Sequence, residues 1–415
     1  MKKVLLLVTE RNSANGVCAK AVMEKMVQRG YDVFCITNRE YNDGISFEIS
    51  DIKYTCIKPR LVYRISSYLQ NSGVFGIKRK ILVWIHNILS KSKLLLSVFS
   101  WPLISPLYSY RIYKKAISVC ENEHIDIIVP IYTQVDTLIA AKKIKNKMPQ
   151  IKYVPYFLDS FSGGYGPKIF SHEWTVKRGL KWEKKLLPTA DKIIMMSSAK
   201  PHYEKYSCET SYFSRIKFLD LPLFIPNDSS NDTEIIDSAF FNFLFIGTIP
   251  AHIRDPKPFI EAFKLTKDST FRLTIIGTST CEAYIESAVK SDDRIRVLPF
   301  IDHDSALSAM NKADILVNFG NNLSNMTPSK IFEYMSTGNP IITTFSVENE
   351  PSLRYIEKYP FYFAMNEKLS FEDNAEMIEA FAHSMKGKKA DTSSIEKEFY
   401  LNTPSAFVDC IENDN

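Results

Sequence analysis

Apolar runs and amphipathic stretches alternate along this chain. Residues 4–8 (VLLLV) are apolar throughout, and the polar stretch TERNSANG follows. Apolar positions then recur at helical spacing over about 17–29, before Gly30 and a second apolar run, YDVFCIT. Strands buried on both faces read as continuous apolar runs, and their alternation with helices predicts a parallel, doubly wound α/β sheet. The pattern continues with HIDIIVPIY (124–132), a helix in TQVDTLIAAKKIKNK, and KYVPYFLD ending at Asp159. A helix over 173–187 and the strand, loop and helix of TADKIIMMSSAKPHYEKY complete the first half.

LPLFIPNDSSNDTEIID (221–237) interrupts this rhythm with prolines and a polar, acidic run, which marks a hinge. The alternation then restarts. FNFLFIG ends at Gly247, FRLTIIG at Gly277 and RIRVLPF at Phe300, and ADILVNF (313–319) leads through GNNLSNMT to PSKIFEYMSTGNPII. Thr327 suits an N-cap and Pro328 the first helical position, while Gly338 and Pro340 stop that helix. ENEPSLRYI begins a further helix, and a last one is expected over about 394–411. The expected organisation is an N-terminal domain over 1–222, a hinge over 223–240, a C-terminal domain over 241–393, and a terminal helix within 394–415.

A helix opening just past a parallel strand offers free N–H groups and partial positive charge to an anion. Ser329 and Lys330 sit in its first turn, and Glu333, one turn on, is spaced to reach a ribose hydroxyl. Gly247 and Gly277 would let the backbone approach a nucleotide. Asn15 and Gly16 fall in the expected loop after the first strand; no GxGxxG is present, which disfavours a nicotinamide dinucleotide site. Asp159 lies at a strand's C-terminal end, where such folds bind ligands, with Ser162, Gly163 and Gly164 loosening the loop behind it. His172 and His202 have no evident partner and read as structural or solvated. Asp302-His303-Asp304 spells a DxD but precedes a helix, so Asp302 or Asp304 reads as an N-cap and not a metal ligand.

PSKIFEYMSTGNPII resembles the donor-binding helix of GT-B glycosyltransferases, especially those related to glycosyltransferase family 4. The resemblance implies two doubly wound, Rossmann-like domains facing across a cleft. It implies a hexosyltransferase-type enzyme that moves a sugar from a nucleotide diphosphate sugar to a glycan or lipid-linked glycan in surface polysaccharide assembly, retaining and without a metal or other cofactor. In that family two Glu residues eight positions apart contact the donor; Glu333 matches the second, and Asn325 stands where the first would be. Family correspondence also assigns Arg254 to the donor diphosphate, with His252 beside it. It brings Asn15-Gly16 to the donor phosphate, makes Ser197 and Ser198 face the cleft, makes Asp159 the contact for the acceptor or the catalytic base, and has the last helix return to the first domain; Gly247, Gly277, Phe300, Thr327, Pro328 and Ser329 are further candidates for the donor site.

Charge adds one more feature. The chain carries a net charge of +5, yet between Ile52 and Cys120 there is no Asp or Glu and there are twelve Lys or Arg, so the remainder sums to 5 − 12 = −7. Aromatic and aliphatic residues are interleaved with those charges over about 60–115, which suits an anionic membrane surface and not a bilayer span. Nucleic acid is disfavoured, because the apolar residues are mainly aliphatic and no binding module is present. Seven scattered cysteines and an apolar start that runs into Glu10 and Arg11 fit a reduced, cytoplasmic protein, peripheral on the inner membrane face. Two alternatives stay open: a non-catalytic nucleotide-sugar-binding subunit, and a GT-B-fold sugar-nucleotide epimerase.

Overall fold

The computed structural model describes residues 1–10, 13–38, 49–71, 75–102, 105–164, 166–167, 170–225, 235–322 and 328–413. The chain divides into two units, Met1–Pro222 with Pro404–Asn415, and Leu223–Thr403. Each carries a parallel sheet with helices between its strands, the doubly wound architecture that the alternating pattern predicts.

In the first unit, β1 (Lys3–Val8), β2 (Asp32–Asn38) and β3 (Ile52–Ile57) precede β4 (Ile127–Tyr132), the short β5 (Lys152–Tyr153) and β6 (Tyr156–Phe157), β7 (Ile193–Met196) and β8 (Ile216–Leu219). The sheet runs β3-β2-β1-β4-β6-β7-β8, with β5 also on β4. Pro155, which cannot donate to a ladder, stands where β5 gives way to β6. The chain leaves β1 to one side for β2 and later returns on the other side as β4. The C-terminal ends of β1 and β4 therefore flank a topological switch point, where doubly wound sheets bind ligands.

Helix α1 (Ala14–Gln28) follows β1; α2 (Leu61–Asn71), α3 (Gly76–Ser100) and α4 (Pro106–Glu123) follow β3; α5 (Val135–Lys147), α6 (His172–Leu186) and α7 (Lys200–Ser207) come later. The basic segment does not behave as one body. α4 buries Tyr108, Ile112, Ala116 and Cys120 in the core, so the expected membrane-facing stretch is corrected to exclude that face. Periodicity alone could not separate a core face from a lipid face.

The second unit holds β9 (Phe241–Ile249), β10 (Phe271–Ser279), β11 (Ile295–Leu298), β12 (Ile315–Asn318), β13 (Ile341–Phe345) and β14 (Tyr362–Asn366), in the order β11-β10-β9-β12-β13-β14. Its helices are α8 (Lys257–Leu265), α9 (Glu282–Ser291), α10 (His303–Lys312), α11 (Lys330–Ser336), α12 (Leu353–Ile356), α13 (Phe371–Met385) and α14 (Thr392–Glu398). Here the switch point lies between β9 and β12. Those two strands pair only at Phe243 with Ile315 and Leu244 with Leu316, so they part early and open a crevice.

The expected single terminal helix is corrected. α14 ends at Glu398, a 3-10 turn spans Tyr400–Asn402, and α15 (Pro404–Glu412) starts anew on a proline, which suits a first turn and not a helix interior. Only α15 belongs to the first unit, where Phe407 packs on Tyr156 at 4.6 Å between ring centroids and Arg29 pairs with Asp409 at 3.1 Å. Half of the expected hinge, residues 226–234 of 223–240, lies outside the described residues.

Candidate functional site

Three loops leave the C-terminal edge of the second sheet, after β9, β12 and β13, and they are tied together. Arg254, in the first, donates from Nε to Asn321 Oδ1 at 2.8 Å and from Nη1 to the Thr248 carbonyl at 3.0 Å. The Asn322 N–H donates to the Ile253 carbonyl at 2.7 Å, joining the same two loops again. Glu350, in the third loop, is 2% exposed and accepts from the Asn321 N–H at 3.1 Å and the Ser352 N–H at 2.6 Å. The Arg254 guanidinium is therefore held in one plane at the crevice. Desolvation pushes its pKa down, and the nearby Tyr334 and Glu350 oppose that shift. Burial pushes the Glu350 carboxyl up, against the hydrogen bonds it accepts.

Tyr334 explains how the following helix is seated. Beyond Leu244 the backbone of β9 has no β12 partner, and buried peptide groups must be satisfied. The Ile246 N–H donates to the Tyr334 hydroxyl at 2.9 Å, and that hydroxyl donates to the Ile246 carbonyl at 3.3 Å. Burying such a ring is worth roughly 2–3 kcal/mol, and the hydroxyl pins α11 to the strand. Arg254 and Glu333 both lie near enough for their charges to act on Tyr334.

On α11, Lys330 Nζ donates to Glu333 Oε2 at 2.5 Å, so two expected donor contacts are paired with one another. The helix begins at Lys330, with Ser329 as its cap residue and no side-chain capping bond, which corrects the expected start at Pro328. Pro328 and Ser329 precede the helix; Asn325 and Thr327 lie outside the described residues.

β9 and β10 run in register to Ile249 and Ser279, two residues past the expected ends at Gly247 and Gly277. Those glycines are register partners, with φ of 155° and 132°. A Cβ on Gly277 would stand 2.0 Å from the Gly247 carbonyl oxygen, so the backbones meet there as only glycine allows. Beside them a cavity of about 400 Å³ is lined by Gly247, Gly277, Thr278, Ser279, Leu298 and Pro299, among others. Phe300 follows that wall with its side chain 66% exposed, and His252 is exposed. Asp302 caps α10, its carboxylate accepting from the Ser305 N–H at 2.9 Å.

The first unit gathers a second cluster at its switch point. Asn15 Nδ2 donates to Asp159 Oδ2 at 3.2 Å, bringing two expected site residues together. Asn15 and Gly16 are corrected from loop to helix: α1 starts at Ala14 because the Ser13 hydroxyl caps the Gly16 N–H at 3.1 Å. Thr9 and Thr133 hydroxyls meet at 2.9 Å, and Gln134 Nε2 donates to Glu10 Oε1 at 3.0 Å. Ser197 turns away, donating to the Leu219 carbonyl at 3.1 Å, while Ser198 is exposed.

The loop behind Asp159 is clamped, which corrects the expectation of looseness. The Ser162 N–H donates to buried Glu183 at 3.0 Å, and Ser162 Oγ is hydrogen-bonded to His202 Nε2 at 2.8 Å. A Cβ on Gly164 would stand 2.4 Å from the Ser160 carbonyl oxygen, so glycine serves close packing here. His202 thus has a partner, and burial lowers its pKa. His172 is exposed at the start of α6.

Residues 241–358 match the family described as Glycosyl transferases group 1. No curated protein sequence matches the chain. Among solved structures, a glycosyltransferase from Rickettsia africae is 12% identical with a TM-score of 0.59, covering 99% of this chain and 98% of its own. HepE of Anabaena, in complex with UDP and glucose, is 11% identical with a TM-score of 0.56, covering 99% and 100%. The lipopolysaccharide outer core galactosyltransferase WaaB is 12% identical with a TM-score of 0.53, covering 100% and 99%.

Proposed function

We propose that the chain, whose residues 241–358 match the family described as Glycosyl transferases group 1 and whose fold is GT-B, transfers a sugar from a nucleotide diphosphate sugar to a glycan or lipid-linked glycan. The observation that carries this reading is the Arg254 guanidinium fixed at the β9–β12 crevice, at the same sheet edge that carries the pocket lined by Gly247 and Gly277. Arg presents a planar fork suited to phosphate oxygens. The base would enter the 400 Å³ pocket, and Glu333 would take a ribose hydroxyl.

As the glycosidic bond breaks, charge accumulates on the diphosphate. Arg254 and Lys330 would be aimed at it, a preorganised positive field that needs no rearrangement as the charge develops. Protein cations would serve where other transferases use a metal. Asp159, oriented by Asn15, would receive the acceptor hydroxyl. Retention of anomeric configuration and assembly of a surface polysaccharide at the membrane extend the same reading, supported by the kinship with WaaB in fold.

The test is a thermal-shift screen of purified protein against UDP, GDP, dTDP, CMP and their sugar conjugates, with UDP first because HepE was solved with it. A ligand at about a hundred times its dissociation constant adds roughly 2.7 kcal/mol to the native state. A shift with one diphosphate, lost in Arg254→Ala, supports the donor site. Donor binding without transfer or hydrolysis points instead to a binding subunit.

A further inference from the structure

The first unit exposes a surface that the donor chemistry does not use. On α3, Ile77, Ile81, Trp84 and Ile88 are separated by four, three and four residues, which returns them to one side of a 3.6-residue helix. They are 78%, 51%, 65% and 44% exposed, and Phe75 just before the helix is 80% exposed. Leu82, Ile85 and Leu89, on another side of the helix, are partly buried. The exposed stripe is therefore not a core face that happens to be thinly covered. A contiguous row of large apolar groups held in water marks an interaction surface.

Its charge says what kind. Lys78, Arg79, Lys80 and Lys91 lie on the same helix and are exposed, and no carboxylate occurs between Ile52 and Cys120. The counterpart must accept an aliphatic and indole row and carry negative charge. A second copy would bring the same positive charge, and a nucleic acid offers no apolar interior for three isoleucines. An anionic bilayer offers both, with acyl chains below its phosphates. At 25 residues α3 is about 37 Å long; among the described residues, however, no helix is long and apolar enough to cross a membrane.

We propose that α3 docks the first unit in the plane of an anionic lipid surface. Ile77, Ile81, Trp84 and Ile88 sit below the headgroups, and Lys78, Lys80 and Lys91 lie at the level of the phosphates. This rests on the membrane-linked acceptor reading for its purpose alone, since docking needs no donor.

The experiment uses the full chain with vesicles of phosphatidylcholine alone or with about a third phosphatidylglycerol, read by co-sedimentation and by tryptophan emission. Trp84 is the exposed member of four tryptophans, so its insertion should shift emission to the blue and allow quenching by brominated acyl chains. Binding should require the anionic lipid and weaken with salt. It should fall about ten-fold or more in Lys80→Glu/Lys91→Glu, and also in Ile81→Ser/Trp84→Ser. Unchanged melting and nucleotide binding in these variants show that fold and donor site persist. Binding to neither vesicle by protein that still binds nucleotide overturns the proposal and leaves the donor reading intact. So does equal binding of native protein and both variants, or loss of self-association or oligonucleotide binding in the variants without loss of vesicle binding.

Discussion

Arg254 Nε and Asn321 Oδ1 stand 2.8 Å apart, and that bond joins the loops on the two sides of the β9–β12 crevice. Asn321 is in turn held through its own N–H by buried Glu350. The guanidinium is thus oriented by Asn321 and, behind it, Glu350, from the two other loops.

Arg254→Lys keeps the charge and loses the fork. Turnover per donor encounter should fall by about two orders of magnitude, measured as kcat/KM. Asn321→Ala should reproduce part of that loss through orientation alone. A Lys variant with native kcat/KM would remove Arg254 from the chemistry.

Lys330 and Glu333 face each other at 2.5 Å, so a bound nucleotide has to share or open that pair. Glu333→Ala should weaken nucleotide binding about ten-fold by removing a charge-assisted hydrogen bond. It should leave inorganic pyrophosphate binding equal or tighter, because Lys330 is released. Calorimetry with both ligands checks this; parallel weakening would mean that Glu333 supports α11 and not the ribose.

Asn15 orients Asp159 from the first turn of α1. Asp159→Asn should lower kcat by at least ten-fold with little change in donor dissociation constant, since the donor groups lie in the other unit. If donor binding falls in proportion to kcat, Asp159 has no separate role at the acceptor.

The His202 imidazole is held below its ordinary value by burial, with His172 and Lys205 adding to the effect. The fold prefers the neutral ring that meets Ser162. Its contribution to stability is complete above the unfolded value of about 6.5 and is lost as pH falls through the lower folded value. Between pH 7 and 5 the denaturation midpoint of the native chain should therefore drop more steeply than that of His202→Gln, which does not titrate. Equal slopes would remove His202 as the source.

Gly277→Ala places a methyl group 2.0 Å from the Gly247 carbonyl oxygen, where β10 cannot move without leaving its ladder with β9. Destabilisation of roughly 2–4 kcal/mol is expected, read from denaturant unfolding. Nucleotide binding should fall with it, because the cavity wall is the same backbone.

Much of the frame was legible in the chain itself. Runs such as VLLLV, FNFLFIG and ADILVNF are predominantly apolar because a parallel strand is covered on both faces. Asp302 was legible as a cap because its role is satisfied three residues away. Lys330 and Glu333 were proposed from their place on the helix and Arg254 from family correspondence, and neither route carries the partners of those residues.

Local boundaries were less secure. α1 starts at Ala14 because Ser13 captures the Gly16 N–H, and α11 starts at Lys330, two residues beyond the proline that suited a helix start. The α1 start depends on a balance of about 1 kcal/mol between competing caps, too small for pattern to decide.

Sequence by itself determined the long apolar strands such as β1, β9 and β12, their alternation with helices and the residue types at the donor motif, while β3, β8 and β14 carried too weak a pattern to be read. Tertiary structure alone decided which loops meet. Asn321 and Glu350 serve Arg254, and Tyr334 serves Ile246, only because the sheet order sets β12 beside β9 and β13 beside β12. It also decided that α4 packs inward while α3 keeps a row of isoleucines and a tryptophan in water. Both helices are amphipathic, and the difference lies in whether a neighbour covers the apolar face.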